Sequence, residues 1–311
     1  MERRTRWIVA SMALLSGCVE NSVSRRAAYE SFVQPSRDNG VDILWVIDDS
    51  RSMAEEKDQL VMALGAFVEL FATVDVDFRL GVVSTDLENF APGTLRGEVL
   101  SPDTPDLEDT FAAQIGLEAE GSRDERGFDA ALAVLDPSLG FSRANADLEV
   151  IFFSDEDDHS DQDAAAFVAA LRAARPGALI GIDPIVGDLP EGCVSLLAAA
   201  DPGFRYVDAL ELTEGLRQSI CASDYDSMLR RVALRAIGMR DHFLLAEVPE
   251  PSTMEVRVDG VLMHQRSPHG WRYDAGTNEV VVDGYAVPLP GSELSVRYYE
   301  WQGLEPPEEV P

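Results

Sequence analysis

Along the first two thirds of the chain, apolar positions alternate between two periods. Ile43–Ile47, inside VDILWVIDDSRSM (41–53), is an apolar run that stops at two aspartates. A short apolar, β-branched run ending at turn-forming residues predicts a buried strand. Further strands are predicted at Asp77–Thr85, Asp147–Ser154, Gly177–Gly187 and Phe204–Ala209. Between them the period lengthens. Leu60, Leu64, Phe67, Val68 and Phe71 line one face of a helix over Met53–Thr73, and Phe128, Ala131, Leu132 and Leu135 line another. Helices are also predicted at Phe111–Leu117, Ala164–Ala174, Ser195–Ala200, Leu212–Ile220 and Tyr225–Gly238. Strands alternating with helices through 41–238 argue for an α/β fold, a doubly wound, mostly parallel sheet.

The pattern then changes. His242–Glu247, Thr253–Asp259, Gly270–Tyr273, Asn278–Asp283 and Glu293–Tyr299 are short and β-rich, punctuated by Asp259-Gly260, Asp283-Gly284 and Pro290-Gly291. This predicts a small all-β module, sandwich-like, over 241–300. Residues 18–40 are polar and read as a tether, and 301–311 as a disordered Pro- and Glu-rich tail. Residues 88–109, rich in Pro, Gly and acids, read as a long loop or small hairpin near the strand ends, a surface insertion in preference to a ligand contact.

Charge narrows the function. The 311 residues carry 56 acids against 25 basic residues, a formal net charge of −31. The only lysine is Lys57. Such a surface repels phosphate backbones, so no nucleic-acid partner is expected, and it favours cations. The candidate chemistry lies at the strand ends. Asp48, Ser50 and Ser52 follow the first strand, and in open α/β sheets ligands bind beyond the carboxyl ends of the strands. A carboxylate with two hydroxyls is a hard oxygen set suited to Mg²⁺, Mn²⁺ or Ca²⁺. Ser52 is also placed to cap the helix that follows.

This D-x-S-x-S stretch, between a buried strand and a long amphipathic helix, resembles the metal-ion-dependent adhesion site of von Willebrand factor type A (VWA) domains. The resemblance implies a divalent cation, Mg²⁺ first, with a coordination position open to a partner's Asp or Glu carboxylate. Asp155, closing a hydrophobic strand as Ser154-Asp155-Glu156, resembles the second aspartate of that site. The third element in the family is a Thr before a helix. Here Ser122 or Glu125 holds that place, a departure from the pattern, and Thr85 at the end of the neighbouring strand is a further candidate. The acidic run 155–161 is not a calcium loop of EF-hand type, because Ser160 and Ala166 stand where Gly and Glu are required. Asp161 or Asp163 is expected to cap the next helix, and His159 to be solvated. V-x-V-D-G, W-x-Y-D and P-x-x-G-S-x-L-x-V-x-Y resemble the C-terminal β-module of bacterial VWA lipoproteins.

The amino terminus gives an address. Arg3, Arg4 and Arg6 precede a short apolar stretch, Trp7–Leu15, that reads as a secretory signal over 1–17. It closes on Leu15-Ser16-Gly17-Cys18, which resembles the bacterial lipobox. That implies lipidation at Cys18, export, and a membrane anchor, with Val19 favouring the outer membrane. Cys193 and Cys221 then remain, and in an exported chain they are expected to pair. The expected function is metal-dependent protein binding, in adhesion or envelope assembly. The alternative is a structural envelope lipoprotein with a non-adhesive or degenerate metal site. An enzyme is not expected: no nucleophile–base pair and no G-x-S-x-G elbow is present, which leaves a metal-assisted hydrolase as the weakest reading.

Overall fold

The computed structural model describes residues 25–303, apart from 36–38, 75, 117–123, 197, 214 and 267–268. The signal segment, Cys18, Ser122 and the end of the tail lie outside the described residues.

The α/β part is a five-stranded sheet in the order β3-β2-β4-β5-β8, every pair parallel. Its strands are β2 (Val41–Ile47), β3 (Phe78–Ser84), β4 (Asp147–Phe153), β5 (Ile180–Val186) and β8 (Gln218–Ser219). The preceding strand, β1 (Ala27–Val33), belongs to another sheet. Helices α1 (Ala54–Thr73), α2 (Leu107–Ile115), α3 (Gly127–Ala133), α4 (Ala164–Ala174), α5 (Phe204–Glu211) and α6 (Tyr225–Ala236) cover the sheet. The period of two along β2 divides the core. Ile43, Trp45 and Ile47 pack with α1 and α6, whereas Leu44 and Val46 pack with α3, α4 and α5. Trp45 meets Phe67 edge-on, with ring centroids 5.4 Å apart. Burial on both faces explains why β2 and β4 read as continuous apolar runs.

At the amino ends of the strands, fully buried Asp42 is neutralised by arginine. Arg143 reaches it from Nε at 2.7 Å and Arg175 from Nη1 at 3.2 Å. A buried charge is tolerated when it is paired in this way.

Three expectations give way between β5 and α6. Ser195–Ala200 is not a helix: β6 (Cys193–Val194) and β7 (Ala199–Ala200) pair as an antiparallel hairpin. Phe204–Ala209 is not a strand but the start of α5. Its buried Tyr206, Val207 and Ala209 share a helix face, and so short an apolar run fits either period. Leu212–Ile220 is not helical. Its regular structure among the described residues is β8, two residues that complete the sheet edge. Cys193 and Cys221 form a disulfide, as expected, which ties the hairpin to the stretch after β8.

The tether expectation also fails. β1 pairs along its whole length with β14 (Glu293–Tyr299), from Ala27↔Tyr299 to Val33↔Glu293. The second sheet runs β1-β14-β10-β11, with β10 (Glu255–Val258) and β11 (Val261–Leu262). It faces a three-stranded sheet of β12 (Trp271–Asp274), β13 (Glu279–Val282) and β9 (His242–Leu244). Phe243, Val256, Trp271, Val280, Leu294 and Val296 form the core between them. The α/β unit is therefore an insertion between the first strand of the β-sandwich and the rest. AAYESFV alternates polar and apolar residues weakly, and its partner strand lies at the other end of the sequence, so no local signal marks it. Buried Gln34 pins the two crossings together. Its Nε2 donates to Arg240 O at 2.8 Å and its Oε1 accepts from Arg240 N at 2.9 Å.

A chain beginning at Val41 should therefore lose its β-sandwich while keeping the α/β unit. Hydrogen exchange should show β14 amides deprotected and β4 amides unchanged. Equal protection of β14 with and without residues 25–34 would contradict the pairing.

Candidate metal centre

The strand order places a crevice where the connections diverge. The chain leaves β2 toward β3 on one side, and β4 lies on the other. In doubly wound sheets such a switch point is where ligands bind. Ladder bonds carry the register past the strand ends: Asp48 N donates to Phe153 O at 3.0 Å, Thr85 N to Ile47 O at 3.0 Å, and Ser154 N to Ile185 O at 3.3 Å. These bonds align Thr85, Asp48 and Ser154 across the sheet.

Asp48 is buried. Its Oδ1 accepts from Ser50 N at 2.8 Å and its Oδ2 from the Ser154 hydroxyl at 2.6 Å. The Ser50 and Ser52 hydroxyls lie 3.0 Å apart, and Ser52 reaches on to the Asp155 carboxylate. Glu125 comes from the segment before α3 and is fully buried, with the Thr85 hydroxyl donating to its Oε2. Of the candidate residues, the structure brings Asp48, Ser50, Ser52, Asp155, Glu125 and Thr85 to this crevice; Ser122 lies outside the described residues.

The electrostatics are those of a site short of positive charge. Burial pushes the Asp155 carboxyl up to about 7, and the charge on Asp48 adds to it, against the hydrogen bond from Ser52. Burial pushes Glu125 up to about 8, again with Asp48 adding and the Thr85 hydrogen bond opposing. Asp48 itself is raised, chiefly by burial, despite its bonds from Ser154 and Ser50. Among the described residues no arginine or lysine forms an ion pair with any of the three, in contrast to Asp42. Glu125 Oε1 and Asp155 Oδ1 are buried without a hydrogen-bond partner. Each of these oxygens belongs to a buried carboxyl that feels the charge on Asp48, and a buried oxygen without a partner is what a hard divalent cation would satisfy. Among the described residues no group of three His, Cys, Asp or Glu side chains meets the geometry of a metal site alone, so the serine hydroxyls are needed to complete a shell.

Several residues that hold this arrangement carried no sequence signal. Ser154 reads as the end of a strand but anchors Asp48. Asp49, next to Asp48, turns away and is buried against Arg96, with Lys57 Nζ 3.3 Å from its Oδ1. Arg96 comes from the stretch read as a surface insertion, so part of that loop is a clamp on the Asp48 loop. Leu100 also pairs with Leu80 there and covers the edge of β3. In the acidic loop after β4, Asp158 Oδ1 accepts from Phe128 N at 3.0 Å and Ser160 Oγ from Asp129 N at 3.1 Å. These bonds satisfy the first turn of α3, the helix that follows Glu125. His159 N donates to Glu125 O at 2.8 Å while its ring stays half-exposed. Asp163, one of the two expected caps, accepts from Ala166 N at 2.8 Å, and Asp161 pairs with Arg126 instead.

No protein-family model and no curated protein matches the chain. Solved structures do align with it. The pilus adhesin SpaC from Lactobacillus rhamnosus GG, in its open conformation, aligns at 11% identity over 88% of this chain and 40% of the adhesin, with a TM-score of 0.46. A von Willebrand factor type A protein from Catenulispora acidiphila aligns at 13% identity over 93% of this chain and 67% of that one, with a TM-score of 0.41. Proximal thread matrix protein 1 from the mussel byssus, solved with a zinc-occupied MIDAS motif, aligns at 15% identity over 68% and 49%, with a TM-score of 0.44. The chain thus spans less than half the length of the pilus adhesin.

Two predictions follow from this geometry. A carboxyl whose folded pKa is raised ionises in the unfolded chain first, so it costs stability as pH climbs. The cost grows between 3.8 and about 7 for Asp155 and between 4.5 and about 8 for Glu125. In EDTA, the melting temperature should fall from pH 5 to pH 8, less steeply in Glu125→Gln, and Mg²⁺ should raise it more at pH 8 than at pH 5. Identical slopes for wild type and Glu125→Gln would contradict this. Separately, Arg96→Met strips the buried Asp49 of its main partner and should cost roughly 3 kcal/mol in urea unfolding. A loss under about 1 kcal/mol, the value of an exposed pair, would rule the clamp out.

Proposed function

We propose that this chain is a VWA-type binding protein whose divalent cation sits among Asp48, Ser50, Ser52, Glu125 and Asp155 and accepts a carboxylate from a protein partner. The observation that carries the reading is the pair of orphaned buried oxygens, Glu125 Oε1 and Asp155 Oδ1, beside Asp48 at the switch point of the sheet. When bound, the cation supplies Lewis acidity and a coordination position for an oxygen ligand. The protein's residues do the rest. Ser50 N and Ser154 orient the Asp48 carboxylate, and Thr85 orients Glu125. Glu125 is a departure from the family's Thr. It adds negative charge to the shell, which strengthens cation binding and weakens the pull on an incoming carboxylate. Thr85 acts behind Glu125, and Ser122 is the remaining candidate.

Mg²⁺ or Mn²⁺ is preferred over Ca²⁺ because a compact shell of single carboxylate oxygens and hydroxyls suits the smaller ions. The disulfide supports export, since such bonds persist in oxidising compartments. We place the protein at the cell envelope, lipid-anchored at Cys18 on the outer membrane. Adhesion or envelope assembly is the role this fits. The alternative, a site that only holds loops together, predicts metal binding without carboxylate capture.

Calorimetry with Mg²⁺ and Mn²⁺ should show one saturable site in the full chain and at least a hundred-fold loss of affinity in Asp48→Ala. A dense surface of Asp-bearing peptides should then retain the wild-type protein in Mg²⁺ and release it in EDTA, while Asn-bearing peptides retain none. Metal binding with equal retention on both surfaces would favour the structural reading.

A further inference from the structure

The β6–β7 hairpin borders the metal centre and carries the most exposed apolar side chains near it. Val194 is 85% and Leu196 96% exposed. Scattered apolar residues on a surface need no explanation. These two sit on a loop that is stapled and tied to the site. Cys193 is bonded to Cys221, the Ala199 amide donates to the buried Glu56 carboxylate at the start of α1, and Asp201 N donates to Asp155 O at 2.8 Å. The hairpin's base also lies against Gly187, where a Cβ would stand 2.0 Å from Asp201 O, so close an approach requires glycine. The two strands of the hairpin are thus joined to the loop that carries Asp155.

Between them lies an open cavity of about 450 Å³, lined by Ser52 and Asp155 on one side and by Glu191, Val194 and Asp201 on the other. Glu156 lies at its rim. The cavity thus puts two candidate metal ligands, three further acids and the apolar Val194 on one surface, with Leu196 two residues beyond Val194 on the hairpin.

We propose that hairpin 193–200 is the specificity edge of the docking face. Its occupant is an extended segment of a protein partner, with one carboxylate for the metal, an apolar side chain next to it that lies on Val194 and Leu196, and a basic residue beyond that faces Glu191 and Asp201. The inference rests on the metal-centre reading above. The acids on the rim exclude a second carboxylate by like-charge repulsion, so the segment carries one acid rather than a run. The disulfide ties the base of the hairpin at Cys193 to Cys221, which lowers the entropic cost of docking on Val194 beside it. Covering a leucine side chain is worth roughly ten-fold in affinity.

The test uses the full chain on dense surfaces of Gly-Xaa-Asp-Gly-Arg peptides, with Xaa as Leu, Ser or Glu, in Mg²⁺ and in EDTA. Wild type is compared with Leu196→Asp and Val194→Ser, exposed positions whose change leaves the core intact. Mg²⁺ calorimetry runs on each protein. The expected result is about ten-fold tighter retention on Leu than on Ser, the weakest on Glu, with the Leu preference erased in Leu196→Asp and Mg²⁺ affinity unchanged. Metal-dependent retention with no Leu preference, or a preference that survives Leu196→Asp, overturns the hairpin's role and leaves the metal centre standing. Absence of Mg²⁺ binding in wild type overturns both.

Discussion

Three buried carboxyls, Asp48, Glu125 and Asp155, lie beyond the carboxyl ends of the central strands, and among the described residues none of them forms an ion pair with an arginine or lysine. Burial raises all three, the charge on Asp48 raises Glu125 and Asp155 further, and among the described residues one oxygen of each of those two has no hydrogen-bond partner. The opposite end of the same sheet shows that the chain neutralises buried acid with arginine where it needs to, at Asp42. On the reading proposed above, a divalent cation would balance Asp48, Glu125 and Asp155 in place of arginine. The rest of the α/β unit follows from keeping those groups together. β2 and β4 are buried on both faces and locked in register, so the loops that follow them start from fixed points.

Support for the centre comes from outside it. Asp49 points away from Asp48 into a buried pair with Arg96, and Lys57 adds a second contact. This anchors the Asp48 loop through a residue that is not a ligand. Asp158 and Ser160 hold the start of α3, and His159 N bonds Glu125 O, so the acidic loop after β4 positions the segment that supplies the third carboxyl. Beyond the α/β unit, β1 and β14 join the two ends of the chain in one sheet, with Gln34 bridging the two crossings.

The sheet and the strand-end aspartates were legible because both follow from short-range pattern. A strand buried on two faces is a continuous apolar run, and a site at its end is the polar residue that stops the run. Asp48 and Asp155 show this. What stayed hidden depends on distance along the chain. β1 pairs with a strand at the far end of the sequence, β8 is too short to have a pattern, and α5 has an apolar run that suits either period. The hairpin at 193–200 contains Leu and Ala, which favour helix, and tertiary pairing with its disulfide overrides that preference. Arg96 looked like one charge in a loop because its partner, Asp49, is visible only in three dimensions.

The central claim is that one divalent cation binds among these carboxyls and hydroxyls. A crystal of the full chain grown with Mn²⁺ tests it directly through anomalous scattering. The expected result is a single strong peak within about 2.3 Å of oxygens from Asp48, Ser50 or Ser52, and Glu125 or Asp155. An empty crevice in Mn²⁺-saturated crystals, or a peak elsewhere with the two orphaned oxygens still unpaired, would contradict it.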